Sequence, residues 1–178
     1  MRDEPHARFF SEPSAVLHLS TFGHNDLGLA AALATLQIIE QEDLLQQAIR
    51  QGRKIIDGVG LLQKKYDMIA DVRGWGLLIA IEFRAPSALH SRISGRLLAK
   101  RGLLSHMAAI QLLSKYSIIC PTSGRNNTLR LHPPLTITDS EVNRLLESIE
   151  AVLQDISRFP DGISRFLLGQ LLRMARNR

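Results

Sequence analysis

Apolar and polar positions along the chain change period several times, and each change marks a predicted element. From Asn25 onward Leu27, Ala30, Ala31, Ala34 and Ile38 recur at helical spacing in an Ala-rich stretch of high helix propensity. Asn25 and Asp26, good N-cap residue types, stand immediately before it. A second helical stretch runs from about Leu44 to Tyr66, with Leu45, Ala48, Ile49, Ile55, Ile56, Val59 and Leu62 on one side. Gly52, Gly58 and Gly60 weaken that helix and point to close packing, a bend or an early end.

Past Ile69 the period shortens. The segment IADVRGWGLLIAIEF predicts two strands around a turn at Arg73-Gly74-Trp75-Gly76. Its second strand, Leu77 to Phe83, is apolar almost throughout, which predicts burial, and Pro86 ends it. Residues 88–115 are helical in character but interrupted by Gly95 and Gly102. Short strands are predicted at Ser117–Cys120 and Thr128–His132, joined by the polar turn Ser123-Gly124-Arg125-Asn126-Asn127 and stopped by Pro133-Pro134. Thr138-Asp139-Ser140-Glu141 is a capping box, in which hydroxyl and carboxylate satisfy each other's free backbone N–H groups. The helix it opens presents Val142, Leu145, Leu146, Ile149, Val152 and Leu153 on one face. After Phe159-Pro160-Asp161-Gly162 a last amphipathic stretch carries Ile163, Phe166, Leu167, Leu171 and Met174 opposite arginines. Helices, a small three- or four-stranded sheet, then helices make an α+β unit.

Composition narrows the function classes. With 178 residues and 45% apolar content the chain builds one ordinary domain, or two small ones, rather than remaining disordered. Cys120 is the one cysteine, which excludes a disulfide framework. The six histidines show no metal-ligand spacing, and neither GxxxxGK[ST] nor GxGxxG occurs. No apolar run reaches the roughly 18 residues of a membrane span, and no signal peptide is visible, so a cytoplasmic chain without a membrane role is expected. The formal charge of +5 is concentrated in the tail. Arginines 158, 165, 173, 176 and 178 face a single acid, Asp161, and the rest of the chain is nearly neutral. A nucleic-acid binder would carry a basic face on its fold, so no nucleic acid is expected.

Three places carry candidate chemistry. Cys120, beside Pro121 in an apolar segment, reads as a buried structural thiol rather than a nucleophile, because no nearby basic group lowers its pKa. The loop Leu19-Ser20-Thr21-Phe22-Gly23-His24-Asn25 feeds a helix start. It reads either as simple capping or as an anion site built from hydroxyls and free N–H groups. Arg130, between Leu129 and Leu131, either snorkels at a sheet edge or offers its planar fork to a carboxylate.

Taken in order, LSTFGHNDLGLAAALATLQIIE, IADVRGWGLLIAIEF and NTLRLHPPLTITDSEVNRLLESIEAVL resemble the C-terminal portion of class III, pyridoxal-phosphate-dependent aminotransferases. The match runs over roughly residues 17–155, in a branch near the ornithine, acetylornithine and putrescine enzymes. The resemblance implies the small C-terminal domain of a fold type I aminotransferase, an antiparallel sheet covered by helices and preceded by a long linking helix. It implies a lead-in with a phosphate-loop remnant at 1–24, the linking helix at 25–43, the small domain at 44–157 and a basic amphipathic tail at 158–178. By the same resemblance Thr21, with Ser20, contacts the cofactor phosphate in a partner's active site across a dimer interface. Arg130 then holds a substrate carboxylate.

Two departures accompany it. His24 stands where the family has a second glycine. The family's Schiff-base lysine lies upstream of the STFG segment, whereas Lys54, Lys64, Lys65, Lys100 and Lys115 all lie downstream. Transamination uses that lysine to hold the cofactor and to move a proton. The expectation is therefore a chain that is inactive alone and works with a homodimer mate or a large-domain chain on a small amino donor and a keto acid. The alternative is a non-catalytic interaction module that pairs with a full-length aminotransferase or docks through its basic tail.

Overall fold

The computed structural model describes Gly23 and residues 25–84, 102–123 and 127–157. The predicted tail helix, the lead-in and the 88–101 stretch lie outside the described residues. The chain divides into two compact units between Leu44 and Leu45.

In the first unit, helix α1 spans Asp26–Gln41. Asn25 caps it as the sequence predicts, its Oδ1 accepting from the N–H groups of Leu27 and Gly28 at 3.0 and 3.2 Å. Thr35 turns its hydroxyl back onto the Ala31 carbonyl. No residue of α1 is buried, and Leu27, Leu29, Leu33 and Leu36 are each more than half exposed.

The second unit begins with α2, Leu44–Lys65, and continues with strands β1 (Ile69–Trp75) and β2 (Leu78–Phe83) and helix α3 (Leu103–Tyr116). Strands β3 (Thr122–Ser123) and β4 (Thr128–Leu131) and helix α4 (Asp139–Ser157) complete it. The four strands form one antiparallel sheet in the order β1-β2-β4-β3. Helix α3 lies against β2, β4 and β3, and packs on α4. Helix α2 runs beside α4, where Lys54 pairs with Asp139 and Lys65 with Glu150.

The core lies between helices and sheet. Ile55 and Val59 of α2, Ile79 and Ile81 of β2, Leu104 and Met107 of α3 and Val142 and Leu153 of α4 are all essentially out of water. Each such side chain contributes about 1.5–3 kcal/mol of burial. The capping box forms as predicted: Thr138 N–H donates to Glu141 Oε2 at 2.8 Å, and Glu141 N–H donates to Thr138 Oγ1 at 3.3 Å.

Three local expectations change and one alternative is decided. Of the three readings of the α2 glycines, close packing holds at Gly52 and Gly58, while the helix runs unbroken through Gly52, Gly58 and Gly60. Leu45 and Ile49, placed by periodicity on its buried side, are 64% and 39% exposed, so the buried stripe is narrower than the apolar one. The hairpin turn falls at Gly76-Leu77 rather than Arg73–Gly76. Beyond it β2 alternates, with Ile79, Ile81 and Phe83 inward and Leu78, Ala80 and Glu82 outward. Ser117–Cys120 is not a strand. Ser117 leaves α3 in the left-handed region (φ 59°), and pairing with β4 begins only at Thr122.

Candidate functional site: one row of the sheet

The alternation of β4 decides where Arg130 points. Leu129 and Leu131 are buried on the core side, so Arg130 stands exposed on the opposite face. Its backbone is fixed on both flanks. It pairs in register with Ala80 of β2, and its N–H donates to the Pro121 carbonyl at 2.8 Å. Ala80 in turn pairs with Arg73 of β1. Arg73, Ala80 and Arg130 therefore form one row across three strands, two guanidinium groups flanking a methyl group.

The two arginines have opposite fates. Arg73 Nη1 donates to Asp71 Oδ2 at 2.7 Å and to Glu82 Oε2 at 2.8 Å. Those hydrogen bonds, to Asp71 first and Glu82 second, push its pKa further up. Arg130 has no side-chain partner among the described residues. Of the two open readings of Arg130, the edge-snorkelling one does not hold, because β4 is an interior strand between β2 and β3. A strand-mounted guanidinium with no partner among the described residues suits bidentate carboxylate binding.

Ser20, Thr21 and His24 lie outside the described residues. At the helix start that follows them the capping reading prevails, since Asn25 already occupies the N–H groups of Leu27 and Gly28. Asp26 adds negative charge in the first turn.

A cleft of about 360 Å³ lies on another part of the unit, lined among others by Cys120, His132, Glu141 and Arg144. Its charged groups are engaged: Glu141 in the capping box, and Arg144 through Nη2 to the Tyr116 carbonyl. Burial pushes the Cys120 thiol up to about 11, so it is half-buried and protonated at neutral pH, not a nucleophile. Sequence reasoning did not single out Ala80, Asp71, Arg73 and Glu82. Alternation along the hairpin places them on one face, but nothing local says that β4 lies beside β2.

The Aminotransferase class-III profile matches residues 2–153. The chain belongs to the class III aminotransferases. A putrescine aminotransferase of Pectobacterium atrosepticum is 32% identical over 142 residues, covering 79% of this chain and 27% of the relative. Among solved structures, a transaminase from the marine bacterium Virgibacillus superposes with a TM-score of 0.69 at 24% identity, covering 86% of this chain and 33% of that one. An amine transaminase from an uncultivated Pseudomonas species, solved in its PLP-bound form, has a TM-score of 0.62 at 25% identity, with 78% and 30% covered. This class III chain thus spans a third or less of the relatives it matches, and its fold is that of their small domain. Among the described residues no helix is long and apolar enough to cross a membrane.

Proposed function

We propose that this chain supplies the small-domain side of a cytoplasmic, pyridoxal-phosphate-dependent transaminase, with Arg130 holding the carboxylate of an amino acid or keto acid. The observation that carries this reading is the exposed guanidinium of Arg130, without a partner among the described residues, on a backbone fixed by register and hydrogen bond. Ser20 and Thr21 would hold the cofactor phosphate, across an interface in a partner's site. When bound, pyridoxal phosphate supplies the electron sink through which an amino group leaves one carbon skeleton and joins another. Arg130 orients the substrate by its carboxylate and contributes positive charge; it moves no proton.

The proton-moving lysine is assigned to a large-domain segment or chain, because the five lysines here all follow the STFG segment. The apolar residues exposed along α1 support such a partner, since Leu27, Leu33 and Leu36 need cover from water. The same exposure favours the second reading, a module that pairs with a complete aminotransferase without taking part in its chemistry.

Titration of the chain with 2-oxoglutarate separates the two. Shifts centred on the Arg130 side chain, lost in Arg130→Gln, are expected for the first reading, and their absence would overturn it. Incubation with pyridoxal phosphate and borohydride is expected to leave no stoichiometric adduct at any single lysine. A specific adduct would sink the assignment of the covalent step to another segment.

A further inference from the structure

We propose that Arg73 is a positioning residue that draws Glu82 away from Arg130 and so keeps the Arg130 guanidinium open to an incoming carboxylate. The inference rests on the reading of Arg130 as the carboxylate holder. Its basis is the register. Ala80 is the cross-strand partner of both Arg73 and Arg130, and Glu82 lies two residues further along β2 on the same outer face. Glu82 is therefore the diagonal neighbour of both arginines, at about 7–8 Å between backbones, within reach of a long side chain in either direction. One carboxylate stands between two cations.

The structure resolves the competition in favour of Arg73. Glu82 Oε2 accepts from Arg73 Nη1 at 2.8 Å, while no described residue pairs with the Arg130 side chain. Asp71, the direct cross-strand partner of Glu82, shares the same Nη1 at 2.7 Å and holds that guanidinium over β1 and β2. Without Arg73, Arg130 is, among the described residues, the diagonal cation left to Glu82, and a Glu82–Arg130 pair would occupy the fork that a substrate carboxylate needs. Ala80 matters by being small: between the two arginines it adds only a methyl group to the row.

The test uses the full chain, nitrogen-labelled at arginine, with succinate as the probe. In Arg73→Gln the apparent succinate Kd read at the Arg130 side-chain N–H is expected to rise about threefold, the scale of an exposed ion pair. The double variant Arg73→Gln/Glu82→Gln is expected to regain wild-type affinity, as is the conservative Arg73→Lys. In Arg73→Gln without succinate, the Arg130 N–H is expected to acquire a carboxylate titration between about pH 3 and 6, absent from the wild type and from the double variant. A merely structural role would weaken single and double variants alike and leave Arg130 without that titration, which would overturn the proposal. If the wild type shows no succinate response at Arg130, the carboxylate reading falls. The titration in Arg73→Gln then still decides whether Arg73 draws Glu82 away, and its absence refutes that.

Discussion

Gly52 of α2 rests directly on the carbonyl of Gly76 at the β1–β2 turn: a Cβ added to Gly52 would lie 2.0 Å from that oxygen. Neither side can yield cheaply, because the oxygen is backbone, the Cβ is bonded directly to the helix backbone, and Gly76 already holds a left-handed φ of 54°. The contact seats the hairpin against the helix. It explains why a helix-weakening residue occupies the middle of α2.

Gly52→Ala is accordingly expected to destabilise the chain by about 2–3 kcal/mol, as overpacking does. Gly60, in the same helix, has nothing within 4 Å of its added Cβ. Gly60→Ala is expected to stabilise by about 0.5–1 kcal/mol through helix propensity. Urea midpoints of the two variants should move in opposite directions.

The capping box gives stability a pH dependence. Hydrogen bonds from the Thr138 backbone and hydroxyl hold the Glu141 pKa below its ordinary value of 4.5. A depressed folded-state pKa means the contribution is complete above the unfolded value and is lost as pH falls through the folded one. Thermal unfolding from pH 7 down to 3 should show a decline below about 4.5 that is smaller in Glu141→Gln. Thr138→Ala should cost about 1 kcal/mol at neutral pH.

Cys120 is expected to be protected. Burial raises its thiol from 9.0 to about 11, so at pH 8 native protein should react with iodoacetamide on the order of a hundredfold more slowly than urea-unfolded protein. The sign for stability is the reverse of the carboxylate case. The neutral thiol is favoured in the fold, a contribution present below pH 9.0 and lost as pH rises towards about 11. Equal alkylation rates in the two states would refute the protected placement.

Arg130→Lys keeps the charge but loses the planar fork. The variant is expected to bind succinate about tenfold more weakly than the wild type, with unchanged thermal stability, because the wild-type side chain is exposed and has no partner among the described residues. Wild-type affinity in the lysine variant would show that charge alone suffices.

Much of the fold could be read from the chain because it is local. Asn25 before an Ala-rich period and Thr138 three residues before Glu141 mark helix starts through bonds that close within one turn. The inward set Ile79, Ile81 and Phe83 follows from side chains alternating along any strand. The family resemblance, carried by contiguous motifs, was legible for the same reason. Where the reading failed, neighbours distant in sequence decided. For the α2 glycines, close packing, a bend and an early end all stand open until Gly76 and Leu146 are seen against Gly52 and Gly58. Leu45 and Ile49 look buried until the core proves narrower than the apolar stripe.

By itself, then, the sequence determined most of the element types, the helix caps, the alternation of Arg130 against Leu129 and Leu131, and the family. Only the tertiary structure decided that β4 lies beside β2, which sets Arg73, Ala80 and Arg130 in one row and leaves Glu82 between two arginines. The physical reason is register. Period and capping are properties of neighbouring residues, whereas the pairing of strands separated by α3 and β3 is chosen by the packing of the whole core.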